Sequence, residues 1–178
     1  MTDRRANAES FEALAMPMFA SLYNLAHWLT QDPHEAEDLL QETYLKAIKG
    51  FGSFQQGTNF RGWMYRILRN TFLTSRTGLS AKMTEPLDLE EENSVPAASD
   101  TPESMLLVRA DQQLVQDALE KLPLPFREVI LLCDLEEMSY QEIAETLGVP
   151  IGTVMSRLSR ARKAMRELIT TQVRGTSK

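Results

Sequence analysis

"SYQEIAETLGVPIGTVMSRLSRARKAMREL", residues 139–168, decides the fold of the C-terminal half of this chain. Ser139 followed three residues later by Glu142 spells a capping box, in which a hydroxyl and a carboxylate satisfy exposed backbone N–H groups at a helix start. The helix so begun runs to Leu147 and meets Gly148, which can take the left-handed conformation of a C-terminal cap. Ile143, Leu147, Val149, Val154 and Leu158 supply apolar contacts, and Ala144 is small where two helices must cross closely. This is the helix-turn-helix pattern, whose second helix enters the major groove of DNA.

On that second helix Val154, Leu158, Ala161, Met165 and Leu168 step by four, three, four and three, forming one apolar stripe. The opposite face carries Gly152, Ser156, Ser159, Arg160 and Lys163. Arginine pairs bidentately with guanine and serine adapts to several base edges, so this face suits DNA. An ordinary helical hairpin with a basic outer face is the plainer alternative. Upstream, Leu114, Val115, Ala118 and Leu122 have helical spacing, and "LPLP" closes that helix and starts another through "PFREVILLCDL".

The 178-residue chain carries a formal charge of -6, yet residues 148–165 hold four basic residues and no acid. Residues 1–76 contain eight acids and eight bases, residues 105–178 ten of each, and residues 77–104 seven acids and one base. The net charge therefore resides in the middle segment. With three prolines, scattered serines and no aromatic residue, it reads as a flexible acidic linker between two domains, 1–76 and 105–178. Within the domains, residues 43–76 carry six bases and no acid, and residues 151–178 carry seven bases and one acid. Either run alone could be a solvated helix face. Two such runs suggest a ligand with two negatively charged stretches, and nucleic acid leads.

In the N-terminal half, Phe11, Leu14, Met18, Leu22, Leu25 and Leu29 mark a first helix, with Pro17 either near its start or kinking it. Asp32, Pro33 and Glu35 supply an N-cap, a first-turn proline and a capping-box glutamate for a second helix. Ala36, Leu40, Ala47 and Phe51 face inward on it, while Asp38, Gln41, Glu42 and Leu45 fall on another stripe. Asp38 and Glu42 are like charges four residues apart, and Lys46 can relieve only Glu42. The stripe is either a solvated acidic face or a docking surface for a basic protein.

After the loop "GFGSFQQGTN" comes "FRGWMYRILRNTFLTSRT", in which Phe60, Trp63, Tyr65 and Phe72 interleave with Arg61, Arg66, Arg69 and Arg76. Arginines on phosphates and rings under unpaired bases are what a single-stranded DNA surface needs, and the loop could accept a flipped base. Trp63 and Ile67 lie one turn apart beside Phe60 and Met64, a spacing that favours Trp63 as core over Trp63 as a stacking platform.

Enzyme chemistry has no foothold. We find no phosphate-binding glycine loop, no nucleophile–base pair and, with Cys133, His27 and His34 scattered, no metal-ligand cluster, so no catalytic residue, metal or cofactor is expected. Cys133 in "EVILLCDL" reads as a buried structural thiol. The start of the chain lacks a signal peptide's apolar core, and no run approaches the roughly 18 apolar residues of a membrane span. A cytoplasmic protein without membrane insertion is expected.

The acidic "EAEDLLQETYLKA" helix, the basic-aromatic "FRGWMYRILRNTF" helix, the acidic linker and the "SYQEIAETLGVPIGTVMSRLSRAR" module, in that order, resemble a bacterial RNA polymerase sigma factor of the extracytoplasmic-function group. The resemblance implies an all-α chain: a region 2 helical bundle and a region 4 helix-turn-helix joined by the linker. It implies that Asp38, Gln41, Glu42 and Leu45 dock on core RNA polymerase. Residues 53–76 would open and read the minus-10 element, with Phe54, Gln55, Gln56, Thr58, Asn59, Arg61, Arg66, Arg69 and Asn70 as candidate contacts. Thr153, Met155, Ser156, Arg157, Ser159, Arg160 and Lys163 would read the minus-35 element, Ser156, Ser159 and Arg160 facing bases, Arg157 and Lys163 phosphates. An anti-sigma factor is a further implied partner. Two departures bear on promoter sequence: Met155 stands where many relatives have a basic residue, and Thr74 where an aspartate is frequent. The rival readings are a sigma-like decoy that binds an anti-sigma factor, and a helix-turn-helix regulator acting alone.

Overall fold

The computed structural model describes residues 10–77 and 112–175 and divides into two compact units, separated within the acidic segment. The linker expected over 77–104 lies, apart from Thr77, outside the described residues. All regular structure among the described residues is helical.

The first unit holds α1 (Phe19–Thr30), α2 (Pro33–Gly50) and α3 (Phe60–Thr77), each packed on the other two. A helical lead-in over residues 10–15 passes through a 3-10 turn, Met16–Met18, before α1 begins. Pro17 therefore interrupts the first helix, and the Tyr44 hydroxyl donates to the Ala15 carbonyl where the pitch changes (2.8 Å). The break also rotates the two parts: Ala15 is buried and Leu14, expected on the inner stripe, is 43% exposed. The core combines Leu22, Leu25 and Leu29 with Leu39, Leu40 and Ala47 and with Met64, Tyr65 and Leu68.

Asp32 caps α2 by accepting from the Glu35 backbone N–H (2.9 Å), with Pro33 in the first turn. That N–H is what lowers the Asp32 pKa most. The reciprocal half expected of a capping box is not made there. The backbone N–H of Asp32 donates to the Thr30 hydroxyl (3.4 Å), and the Glu35 carboxylate accepts instead from Arg76 at the far end of α3 (2.8 Å).

The second unit comprises α4 (Gln112–Lys121), α5 (Leu124–Ile130), α6 (Tyr140–Leu147) and α7 (Ile151–Gly175), with α7 packed on all three others. Arg127, 8% exposed, holds the α4–α5 corner: Nε donates to the Leu119 carbonyl (2.9 Å) and one terminal nitrogen to those of Glu120 (2.7 Å) and Leu122 (3.0 Å). These carbonyls belong to a helix end, whose last acceptors have no partner within the helix, so a charged fork satisfies what the "LPLP" break leaves open. Burial lowers the Arg127 pKa, opposed by the charges of Glu120 and Glu128. After Ile130 the helix widens into a π turn, Leu131–Leu135, closed by the Glu136 N–H on the Leu131 carbonyl (3.0 Å).

Both halves of the Ser139–Glu142 capping box form, at 3.2 and 2.8 Å, and Gly148 ends α6 at φ 67°. Val154, Leu158, Ala161 and Met165 are buried, which fixes the roll of α7.

Candidate nucleic-acid interface

The second unit exposes one continuous face of α7. Ser159 and Lys163 are exposed, and Thr153, Met155, Ser156, Arg157 and Arg160 half-buried, with the Ser156 hydroxyl donating to the Thr153 carbonyl (3.1 Å). The Nε of Arg157 is buried, so part of its guanidinium is enclosed by the protein. Arg162, which the sequence reading assigned no role, points off this face: it donates to Asp134 (2.9 Å) and approaches Sγ of Cys133 at 3.8 Å. Burial alone would lower its pKa, but the Asp134 hydrogen bond and charge outweigh it and the shift is upward. Cys133, expected to be buried, is half-buried beside this guanidinium.

In the first unit, α3 presents its arginines outward, Arg66 exposed and Arg61 and Arg69 half-buried, with Asn70 exposed beside them. Its rings do not alternate with them as the sequence suggested. Tyr65 and Phe72 are buried in the core, so they are not stacking platforms for bases; the i, i+3, i+4 rule that buries Met64, Tyr65, Leu68 and Phe72 overrides their interleaving with arginine. Arg76 is likewise committed, to Glu35 and to the face of Phe72 at 5.3 Å.

The remaining rings form a cluster that builds the loop. Phe54 stacks on buried Phe51 (5.8 Å) and meets Phe60 (5.3 Å) and Trp63 (5.0 Å), so Trp63 is half-buried packing, as its spacing implied. Between Phe54 and Phe60 the chain turns through Gly57 at φ 86°, with Thr58 donating through Oγ1 to the Gln55 carbonyl (2.7 Å). Gln55, Gln56 and Thr58 are exposed at its tip. Asn59 caps α3, its Oδ1 accepting from the Gly62 N–H (3.0 Å). An asparagine directly before the first helical residue is a sequence signal for such a cap, so Asn59 has a structural role beside the base contact that the resemblance implies.

On α2, Asp38, Gln41, Glu42 and Leu45 are all exposed, Leu45 at 58%. Lys46 pairs with Glu42 (2.8 Å) and donates to the Thr71 hydroxyl (3.3 Å). Asp38 and Glu42 border a groove between α2 and α3 that Glu35, Leu39, Thr71, Phe72, Ser75 and Arg76 also line. The unit thus shows carboxylates and an apolar side chain on one helix, and arginines beyond a rigid aromatic loop on another.

Two family models match the chain: Sigma-70 region 2 over residues 19–80 and Sigma-70 region 4 over residues 112–165. The chain is 37% identical over 171 residues to the ECF RNA polymerase sigma factor SigE of Mycolicibacterium smegmatis, covering 94% of this chain and 65% of that protein, just under two thirds of its length. It is 31% identical over 152 residues to the ECF RNA polymerase sigma factor SigW of Bacillus subtilis, covering 82% and 81% of the two chains. Among solved structures, the sigma factor RpoE in complex with the anti-sigma factor NepR from Bartonella quintana matches with a TM-score of 0.69 and 29% identity, covering 91% of this chain and 98% of that one.

Proposed function

The chain belongs to the extracytoplasmic-function sigma factors, and from that premise we propose that it binds core RNA polymerase and directs promoter recognition and melting at the start of transcription. The observation that carries this reading is the segregation of charge on rigid elements. Carboxylates with Leu45 stand on the outer face of α2, arginines on α3, and serines with basic residues on the outer face of α7.

Asp38, Gln41, Glu42 and Leu45 would contact the polymerase, where exposed carboxylates meet a basic partner and Leu45 supplies apolar area. Arg61, Arg66, Arg69 and Asn70, with the loop residues Phe54, Gln55, Gln56, Thr58 and Asn59, would hold the minus-10 strand. Since Tyr65 and Phe72 are core, that strand is held chiefly by phosphate contacts and the loop edge. Ser156, Ser159 and Arg160 would read minus-35 bases, and Lys163 and the part of Arg157 at the surface would hold phosphates. Thr153 and Met155 complete the first turns. The domain limits 1–76 and 105–178 and the threading of 77–104 near the polymerase's basic channels belong to the same proposal.

Phosphodiester chemistry belongs to the polymerase, and this chain contributes no catalytic residue. The RpoE relative was solved with an anti-sigma factor, which supports such a partner here. No helix among the described residues is long and apolar enough to cross a membrane, which fits a cytoplasmic place of action. The test is run-off transcription with purified core enzyme: a promoter-dependent transcript is expected, and its absence on every candidate promoter overturns the proposal. A stand-alone regulator would instead bind its operator tightly without polymerase, and a decoy would bind an anti-sigma factor without supporting any transcript.

A further inference from the structure

We infer that Ile151 and Met155 form an apolar contact that reads the 5-methyl group of thymine in the minus-35 element. The inference rests on the sigma-factor reading and goes beyond it by assigning a base chemistry to the start of α7. The first six residues of α7, Ile151 to Ser156, carry no charge; the first basic side chain is Arg157. Val154 is buried, so the large side chains that this end of the helix can offer DNA are Ile151, 45% exposed, and Met155, half-buried.

The two lie four residues apart on one helix face, where side chains are neighbours. They stand outside the inner stripe of Val154, Leu158, Ala161 and Met165, Ile151 open to solvent and Met155 part-covered. Their row continues to Ser159 and adjoins the row of Gly152, Ser156 and Arg160. A Cβ placed on Gly152 would meet no atom within 4 Å, so the surface beside Ile151 is open.

The recognition helix of this motif contacts base edges with its N-terminal residues, which brings this apolar pair to the groove floor ahead of Arg160. In the major groove the apolar group that distinguishes one base is the thymine methyl. Arg157 and Lys163, further along the helix, supply the attraction to phosphate that holds it there. Met155 therefore replaces a polar readout with a methyl readout at its position.

The experiment uses holoenzyme and a promoter selected by it from DNA randomised in the minus-35 element. Each thymine in that element is replaced by uracil, which removes the methyl and nothing else. We expect promoter binding and transcript to fall about fourfold at one or two positions, the effect of one methyl-sized apolar group. Met155→Gln and Ile151→Ser holoenzymes, checked for unchanged helicity, should bind thymine and uracil DNA equally. The inference is overturned if uracil is tolerated at every position, if the selected elements contain no thymine, or if the variants keep the full discrimination. Failure to transcribe from any all-thymine promoter would overturn the sigma-factor reading along with it.

Discussion

Arg162 of α7 donates to Asp134 of the π turn at 2.9 Å, and this contact between residues 28 positions apart decides which basic residues of the helix are available to DNA. Four basic side chains crowd residues 157–163, yet one of them serves the fold. By joining the middle of α7 to the turn that follows α5, the pair reinforces the roll that the buried stripe gives the helix, with Ser159 and Lys163 outward.

Because both side chains of that pair are less than a third exposed, their coupling should be measurable. A double-mutant cycle with Arg162→Ala and Asp134→Ala, followed by urea unfolding, should give a coupling of about 1 kcal/mol, against near zero for a fully solvated pair.

Arg127 is a stronger test of the second unit. Arg127→Met keeps the aliphatic stem and removes three hydrogen bonds to carbonyls at the α4–α5 corner, of which that of Leu119 keeps the Leu122 N–H, a loss of about 3 kcal/mol. For a unit of this size that is a large share of total stability. Thermal unfolding of the full chain should show the C-terminal transition lowered or lost, with minus-35 binding lost alongside it and the N-terminal transition unmoved.

The docking stripe predicts the opposite profile. Asp38→Lys and Glu42→Lys alter exposed positions, so unfolding free energy should fall by no more than about 1 kcal/mol, most of it from losing the Glu42–Lys46 pair and setting like charges four residues apart. Affinity for core polymerase, read by fluorescence anisotropy of labelled protein, should fall at least about tenfold for the pair, since like charges would then meet a basic partner. An unchanged affinity would remove α2 from the interface.

Lys163 and Arg160 should separate by the kind of contact they make. In holoenzyme, Lys163→Ala should weaken all promoters alike and reduce the salt slope of binding by about one, as expected for a lost phosphate contact. Arg160→Ala should cost about 1–3 kcal/mol and relax preference at a single base pair.

Acid should act through the α2 cap. The Glu35 N–H holds the Asp32 carboxyl below its ordinary pKa, so its contribution is complete above the unfolded carboxylate pKa and is lost as pH falls through the lower folded value. Asp32→Asn, which still caps, should leave the neutral-pH melting temperature of the first unit nearly unchanged and flatten its decline on acidification.

The contrast between the two capping boxes shows how far local signals reach. Ser139 and Glu142 close theirs, whereas Glu35, in an equivalent position, is drawn to Arg76, 41 residues away. The spacing is the same, but in α2 a cation from another helix ends beside the glutamate and draws it away from the cap. Asn59 is a case of the reverse kind: its cap is written locally, in an asparagine three residues before the N–H it accepts from.

By itself the sequence determined the helical class, the helix-turn-helix with its capping box and Gly148 stop, the buried stripe of α7, and the exposed stripe of Asp38, Gln41, Glu42 and Leu45. Each depends on residues within one or two turns of one another, where helical periodicity makes spacing equivalent to geometry. The tertiary structure alone decided that Tyr65 and Phe72 are core, that Arg76 and Arg162 are held by Glu35 and Asp134, that Arg127 caps a helix end, and that Ile151 stands exposed at the start of α7. Those outcomes turn on which helix lies against which, and packing brings together residues that no local period relates.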